Sequence, residues 1–353
     1  MMRKARLPLL YRVDGNREMG LGHLVRARSL CAQLEQRGII SIILTYSSDN
    51  IVKSIFPDDS NIQHIPPDAD VNQFIAIMRE RYRTSILIQD VRDTDSESVQ
   101  FLQTLGMMII HFDDLGTGRK LVDILIDANI PSEKASECVM PVCFFGEKYM
   151  VLDACIEKFH QRSKIIPPKI SKILVSFGGS DPRNLTPWVI EILSKKYTAY
   201  DVTVVTGQGY AEPRVISTLC QKNGFTHLHN ITTMAEELYT SDIAVISGGV
   251  TLYEAAACGV PAVVLPQVKH QYHIAQRFEQ NGICICPFNH LDQTEDVVML
   301  TIDKLIRDRE LRQAMSNNGK SLVDGNGANR ICDIIESIYD KTFGEKKNAQ
   351  LQK

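Results

Sequence analysis

The chain alternates short apolar runs with longer segments in which apolar residues recur every three or four positions. The apolar runs fall at 9–13, 39–45, 84–90, 107–112, 122–126, 171–177, 201–206, 226–230, 242–247, 261–266 and 283–287. Between the first two runs, Leu24, Leu30 and Leu34 share one helical face, and Gly38 ends that helix. Strands separated by helix-sized segments predict an α/β protein with parallel sheets covered by helices on both faces.

A chain of 353 residues suits two domains of roughly 100–200 residues each. The segment HQRSKIIPPKISK (160–172) is polar and carries a Pro-Pro pair, which favours an extended connector. We therefore expect an N-terminal domain over 1–162 and a C-terminal domain over 168–340, with a last helix able to pack back on the first domain. Two doubly wound sheets would face a central cleft, with ligands beyond the carboxyl ends of the strands.

Composition narrows the class of protein. Hydrophobic residues make up 44%, charged residues 23%, and the net charge is -3, so nothing suggests a nucleic-acid partner. The nine cysteines include no C-x-x-C pair, which argues against a zinc site and favours reduced thiols in the cytoplasm. No apolar run reaches about 18 residues, so no integral membrane segment is expected. Oligomeric state stays open.

The first candidate motif is SFGGSDP (176–182), directly after an apolar run. Gly178 and Gly179 allow backbone N–H groups to approach a ligand closely, and Ser180 is a turn residue. A strand, a glycine pair and a helix form an anion cradle. A tight turn without a ligand explains the same residues, and both interpretations remain open.

The second motif is ISGGVTLYEAAACGVP (246–261), in which a helix is expected to begin near Thr251. Thr251 and Glu254 have the spacing of a capping box, in which the glutamate bonds to a backbone N–H at the start of the helix. Alternatively, Glu254 accepts hydrogen bonds from a ribose diol while the helix N-terminus faces phosphate. The residues alone favour the capping box slightly.

The third motif is GLGH, where Gly20 and Gly22 permit a tight turn and His23 follows at a helix start. An imidazole exchanges protons near neutral pH, so His23 is a candidate general base or acid. A residue that only begins a helix is the alternative. Asp14, at the end of the first apolar run, could orient the ring or serve as a turn residue.

The fourth motif is QDVRDTD (89–95), with Asp90, Asp93 and Asp95 after a buried run. No histidine or glutamate lies at ligand spacing beside them, so hydrogen bonding to substrate or helix capping is favoured over a metal. HFDDLGTG (111–118) is a similar acidic turn.

Together these segments resemble a known family. VDGNREMGLGHLVRARSLCAQL, VSFGGSDPRNLT, MAEELYTSDIAVISGGVTLYEAAACGVPAVVLP and VDGNGANRI look like the UDP-sugar hydrolases of pseudaminic acid biosynthesis and the related spore-coat polysaccharide biosynthesis proteins. The resemblance runs from about residue 10 to 332 and implies a two-domain GT-B fold. The C-terminal half is similar to the N-acetylglucosaminyltransferase that makes lipid II.

The resemblance implies a role for each matching residue, with His23 as the catalytic histidine and neither cofactor nor metal. The implied nucleotide site comprises Gly178, Gly179 and Ser180 near the diphosphate, Ile231 and Met234 near uracil, Ser247, Gly248, Gly249 and Thr251 at the phosphate turn, and Glu254 at the ribose. The sugar side would comprise Gly20, Gly22, Arg26, Asp90, Arg92, His270 and Gln271.

Two departures from the family pattern fall on that sugar side. An aspartate-x-tyrosine element is here Asp90-Val91-Arg92, and an Asn-Gln pair is here His270-Gln271. The added cations suggest a different or more acidic sugar. The leading hypothesis is a UDP-sugar hydrolase in which His23 activates water. The alternatives are a GT-B glycosyltransferase, in which the same base activates an acceptor hydroxyl, and a non-catalytic nucleotide-sugar-binding protein.

Overall fold

The computed structural model describes residues 6–16, 20–56, 61–132, 134, 141–287 and 294–350, the last ten as helix backbone only. The chain divides into two compact units. The first comprises Met1–Val151 with Asn326–Lys353, and the second comprises Leu152–Gly325. Each unit contains one parallel β-sheet, which confirms the predicted pair of parallel-sheet α/β domains.

The first unit holds a seven-stranded sheet with the order β3-β2-β1-β4-β5-β6-β7. Its strands are β1 (Leu9–Val13), β2 (Ser41–Thr45), β3 (Ile62–His64), β4 (Ile86–Asp90), β5 (Met108–Phe112), β6 (Ile124–Asp127) and β7 (Val142–Phe145). Its first helices are α1 (Gly22–Gln36), α2 (Asp49–Ile55), α3 (Val71–Tyr82) and α4 (Ser96–Thr104). Five of the strands match predicted apolar runs, whereas the short β3 and β7 were not predicted.

Both faces of this sheet are buried, which explains why its central strands are continuous apolar runs in the sequence. Leu9 and Tyr11 of β1 pack in one core cluster with Leu24 of α1. Leu10, which points to the opposite face, packs in a second cluster with Ile75 of α3. Successive side chains of a strand alternate between faces, so a sheet covered by helices on both sides needs apolar residues at every position.

The second unit holds a six-stranded sheet with the order β10-β9-β8-β11-β12-β13. Its strands are β8 (Lys172–Ser176), β9 (Asp201–Thr206), β10 (Thr226–His229), β11 (Ile243–Ile246), β12 (Ala262–Val264) and β13 (Cys284–Ile285). Its helices are α5 (Ala154–His160), α6 (Leu185–Lys196), α7 (Pro213–Lys222), α8 (Ala235–Thr240), α9 (Val250–Cys258), α10 (Lys269–Gln280), α11 (Glu295–Arg307) and α12 (Arg309–Leu322).

Small residues bring α9 into close contact with α12. A Cβ added to Gly319 of α12 would lie 2.9 Å from the carbonyl oxygen of Ala256 in α9. Only a residue without a side chain permits this approach. This close packing against α12 fixes the position of α9, the helix that follows the second glycine motif.

The Pro-Pro segment is held within the second unit. Arg312, which is fully buried, donates from Nη2 to the carbonyl oxygen of Pro167 at 2.7 Å. Lys164 donates to the carbonyl oxygen of Ser241 at 2.6 Å. Because buried cations need such partners, this segment is anchored rather than a free connector. The expected boundary at 162–168 thus lies inside the second unit, and the division falls between 151 and 152.

The last helix, α13 (Gly327–Gln350), lies in the first unit. Ile331 and Ile335 join the core cluster that also contains Leu24. The hydroxyl of Tyr339 donates to the carbonyl oxygen of Leu7 at 2.8 Å. The chain thus returns to its first unit after completing the second. Among the helices that the structure describes, none combines the length and apolarity required to cross a membrane.

Candidate functional site

The first candidate site lies where the strand order of the first unit reverses. β1 and β4 are neighbours in the sheet, and the chain leaves them toward opposite edges. Ligands of open parallel sheets bind beyond the strand ends at such a point. Gly20 holds a φ of 86°, which favours glycine, and α1 then begins at Gly22. This turn places His23 in the first turn of α1, while Asp90 ends β4.

His23 and Asp90 are in direct contact. Nδ1 of His23 lies 2.5 Å from Oδ1 of Asp90, and the side chains are 19% and 0% exposed. An ionised carboxylate only accepts hydrogen bonds, so we assign the proton of the ring to Nδ1. The lone pair is then on Nε2. A partly exposed imidazole in this tautomer can take a proton from a substrate hydroxyl or water.

Arg26 holds the carboxylate in place. Its Nε donates to Oδ2 of Asp90 at 2.9 Å, and Nη2 donates to Oδ1 at 2.5 Å. Its Nη1 donates to Asp113, and its guanidinium lies 5.0 Å from the ring centroid of Phe112. Burial acts to raise the pKa of Asp90, but the Arg26 charge and the bond from His23 outweigh it and lower the pKa to about 2. Asp90 therefore stays ionised at neutral pH.

The carboxylate of Asp14 is held by partners other than His23. Its carboxylate accepts from Arg12 and from the backbone N of Tyr46 at 2.7 Å. Burial acts to raise the pKa of Asp14, but these donors lower it overall. Asp14 thus fastens the end of β1 to the loop after β2. The contact with His23 that was considered for Asp14 is made by Asp90, which the family resemblance places on the sugar side.

A buried polar network joins the loops after β4 and β5. Oδ1 of Asp114 accepts from the backbone N of Thr94 at 3.1 Å and of Gly116 at 2.9 Å. Oδ2 of Asp114 lies 2.8 Å from Nδ1 of His111. A Cβ on Gly116 would lie 2.1 Å from the carbonyl oxygen of Thr94. The loop that follows Asp90 is therefore rigidly supported.

The other polar residues of the loop after β4 cap a helix or are exposed. Asp95 caps α4 by accepting from the backbone N of Ser98 at 2.7 Å. Arg92 and Asp93 are exposed. In the described part of the chain, no three His, Cys, Asp or Glu side chains are grouped as metal ligands. Of the predicted sugar-side residues, the structure thus joins Arg26 and Asp90 to His23, and it leaves the side chain of Arg92 exposed.

In the second unit, the strand order reverses between β8 and β11. Gly178 follows β8 with a φ of 81°, and a Cβ there would lie 3.8 Å from Oγ of Ser247. The two predicted glycine loops therefore meet at one edge of the sheet. A Cβ on Gly179 would meet no atom within 4 Å, so the backbone beside Ser180 is open to a ligand.

A third loop supports the two glycine loops, which together we call the cradle. This third loop was not singled out from the sequence. A Cβ on Gly207, after β9, would lie 2.5 Å from Cα of Gly179. The signal was present as VTGQGY (205–210) after a predicted strand. Asp181 supports the other side, since its carboxylate accepts from the backbone N of Leu185 at 2.9 Å and of Thr186 at 2.7 Å. The cradle is thus built from backbone contacts that larger residues would disrupt.

The second glycine turn packs on Gln271. A Cβ on Gly248 would lie 2.6 Å from the carbonyl oxygen of Gln271, and a Cβ on Gly249 would lie 3.4 Å from its Nε2. Oε1 of Gln271 accepts from the backbone N of Gln267 at 2.9 Å. Gln271, predicted on the sugar side, therefore supports the turn at Gly248 and Gly249. Its neighbour His270 is exposed.

The capping-box interpretation of Glu254 is wrong. The N-cap of α9 is Gly249, which has no side chain that could accept a capping hydrogen bond. Thr251 is already inside the helix, so it cannot form the reciprocal pair. Among the described residues, none donates a hydrogen bond to the half-buried Glu254. Burial, and then the charge of Asp153, raise the pKa of Glu254 to about 7, so this carboxyl lacks a stabilising donor.

Ile231 and Met234 lie in the loop after β10, and both are half-buried. The loop follows Asn230, whose φ is 53°, and Met234 precedes α8 as its N-cap. The two apolar side chains are therefore partly exposed in a loop at the carboxyl edge of this sheet.

Comparison with known proteins finds relatives in sequence and in structure. Residues 173–331 match the model of the glycosyltransferase family 28 C-terminal domain. The spore coat polysaccharide biosynthesis protein SpsG of Bacillus subtilis (strain 168) is 24% identical over 336 residues, covering 93% of this chain and 97% of that protein. A UDP-N-acetylglucosamine–N-acetylmuramyl-(pentapeptide) pyrophosphoryl-undecaprenol N-acetylglucosamine transferase of Acetivibrio thermocellus is 27% identical over 231 residues, covering 62% of each protein.

Solved structures match over nearly the whole chain. MurG of Acinetobacter baumannii has a TM-score of 0.67 at 15% identity and covers 94% of this chain and 99% of its own. UDP-GlcNAc 2-epimerase of Neisseria meningitidis, solved bound to UDP-GlcNAc, has a TM-score of 0.62 at 14% identity and covers 94% and 100%. At such identities the likeness establishes architecture. The chain therefore has the GT-B fold, and the match to the glycosyltransferase family 28 C-terminal domain spans most of the second unit and the start of α13.

Proposed function

We propose that this protein is a glycosyltransferase that moves a sugar from UDP to an acceptor hydroxyl, with His23 as general base. The observation that carries the chemistry is the 2.5 Å contact between Nδ1 of His23 and the buried Asp90. An imidazole held in this way keeps its Nε2 lone pair for the acceptor proton. The matched transferase domain and the transferase named among the relatives support transfer over hydrolysis, which was the first expectation.

The second unit supplies the nucleotide site in this proposal. The open backbone at Gly179 and the N-terminus of α9, with Gly249 as its cap, offer N–H groups to a diphosphate. Glu254 accepts the ribose hydroxyls, which provide the donors that this carboxyl lacks. Ile231 and Met234 provide apolar contacts for uracil. The UDP ligand of the epimerase with the same fold supports the choice of nucleotide.

The reaction is a displacement at the anomeric carbon. The acceptor oxygen forms a bond to that carbon as the bond to the diphosphate oxygen breaks, and the electron pair leaves with UDP. Nε2 of His23 takes the acceptor proton. Fixed N–H groups at the glycine loops stabilise the charge that develops on the diphosphate.

The test measures UDP release from UDP-N-acetylglucosamine and from a second donor, a UDP-linked deoxy-amino sugar. Each donor is incubated alone, with alkyl glycosides, and with the pyrophosphoryl-undecaprenol acceptor in the relative's name. Transfer predicts release at least about tenfold faster with one acceptor, and a glycosylated product. Equal release without acceptor would identify a hydrolase. Tight binding without turnover would identify a nucleotide-sugar-binding protein.

A further inference from the structure

Two carboxyl groups lie side by side at the ends of neighbouring strands in the first unit. Phe112 of β5 pairs with Ile126 of β6, so Asp113 and Asp127 come next on each strand. The backbone N of Asp113 donates to the carbonyl oxygen of Ile126 at 3.0 Å. Asp113 has a φ of 47°, which is unfavourable for most residues with a side chain. Its carboxyl is therefore held by local contacts.

One buried oxygen of these two carboxyl groups has no hydrogen-bond donor among the described residues. Oδ2 of Asp113 binds Nη1 of Arg26, whereas Oδ1 is buried and receives no hydrogen bond from the described residues. The carboxyl of Asp127 faces Asp113 and is 4% exposed. Oδ1 of Asp127 accepts from the backbone N of Asn129 at 2.9 Å. Two ionised carboxylates would leave Oδ1 of Asp113 without a donor.

The charges around Asp127 and Asp113 favour a proton that stays on the pair at neutral pH. Burial, and then the charge of Asp113, raise the pKa of Asp127 to about 7. Among the described residues, the cations that face the pair are Arg26 from α1 and Arg119 from the turn at 117–120. Arg119 acts to lower the pKa of Asp127, but burial and the charge of Asp113 outweigh it. Arg26 is shared with Asp90. Two cations beside the three carboxyls of Asp90, Asp113 and Asp127 leave an excess of one negative charge, which a proton relieves.

We propose that Asp127 carries a proton and donates it to Oδ1 of Asp113, which makes Asp127 a positioning residue for Arg26, Asp90 and His23. With the proton in place, Asp113 keeps Oδ2 on Arg26, and Arg26 keeps Asp90 against the ring. Loss of the proton sets two carboxylates against each other, and Asp113 moves off Arg26. The effect on turnover rests on the proposed function, whereas the proton itself does not.

The proton is tested on the full chain labelled with aspartate enriched in ¹³C at the side-chain carboxyl. Carboxyl resonances are followed from about pH 5 to 9 in the wild type, Asp127→Asn and the control Asp68→Asn, which changes an exposed carboxyl. In the wild type and control we expect a titration with a midpoint near 7, seen at the carboxyl of Asp127 and at its partner Asp113, and we expect it to be absent from Asp127→Asn. No such resonance, or a midpoint that differs between Mg²⁺ and EDTA, would overturn the proposal.

The positioning role is tested by the pH profile of kcat. If turnover requires the proton on Asp127, wild-type kcat should fall about tenfold per pH unit above the midpoint at which that proton is lost. Asp127→Asn keeps a donor for Asp113 but cannot titrate, so its kcat should stay within a few-fold of the wild type and lose this alkaline fall. Asp127→Ala should be slower at every pH. An unchanged alkaline fall in Asp127→Asn would remove the positioning role, even if the resonance near 7 is found.

Discussion

Oδ1 of Asp90 lies 2.5 Å from Nδ1 of His23, although 67 residues separate them in sequence. The same carboxylate accepts two bonds from Arg26 and one from the hydroxyl of Tyr11 at 3.1 Å. These contacts fix the carboxylate so that it cannot rotate away from the ring. The imidazole is therefore oriented before any substrate arrives, which is a requirement for efficient general-base catalysis.

Removal of the imidazole should affect turnover and spare binding. We expect His23→Ala to lower kcat by at least about 100-fold, because the acceptor proton then has no base. The Kd for UDP-N-acetylglucosamine should stay within about twofold of the wild type, since the proposed nucleotide contacts are unchanged. His64→Ala, which removes a more exposed imidazole of the same unit, is the matched control. Wild-type kcat in His23→Ala would eliminate His23 as the base.

Asp90→Asn should switch the protonated nitrogen of the ring. The asparagine amide can donate to Nδ1, and the proton then moves to Nε2, where a base needs its lone pair. We expect kcat to fall by about 100-fold or more. Imidazole ¹⁵N shifts in the labelled protein report the tautomer directly. A protonated Nδ1 in the variant, together with normal kcat, would contradict this role for Asp90.

The architecture could be predicted from sequence, and the partners within the site could not. Buried parallel strands are visible because both faces require apolar residues. β3 and β7 were missed, and Ile62–His64 contains a single apolar residue, so it forms no apolar run. Asp14 was the candidate partner of His23 because it follows the first apolar run. Asp90 replaces it because β1 and β4 are adjacent in the sheet. Sheet order is a long-range property that no local pattern contains.

Gly179 and Gly207 should respond differently to alanine. A Cβ on Gly207 would come within 2.5 Å of the Gly179 backbone, whereas a Cβ on Gly179 would meet no atom within 4 Å. Gly207→Ala should therefore destabilise the fold by about 1–3 kcal/mol. Gly179→Ala should leave stability nearly unchanged and weaken UDP-sugar binding, because its methyl occupies space that we assign to the diphosphate. Thermal unfolding and calorimetric titration separate the effects. Equal UDP-sugar affinity in Gly179→Ala would place the diphosphate elsewhere.

Glu254 should make UDP-sugar binding depend on pH. Burial and Asp153 raise its pKa to about 7 in the free protein, whereas ribose hydroxyls stabilise the ionised form. Below the midpoint, binding must first release a proton, so affinity weakens as pH falls. We expect the Kd to be about tenfold higher at pH 6 than at pH 8.

The measurement requires UDP-N-acetylglucosamine rather than UDP, because a free terminal phosphate titrates in the same range and would obscure the carboxyl. Glu254→Gln should bind more weakly at pH 8 and lose the pH dependence, since the amide does not ionise. Glu237→Gln, a carboxyl of α8 in the same unit, should keep both the affinity and its slope. If Glu254→Gln retained the wild-type slope, another group would hold the proton, and the ribose contact would have to be assigned to a different residue.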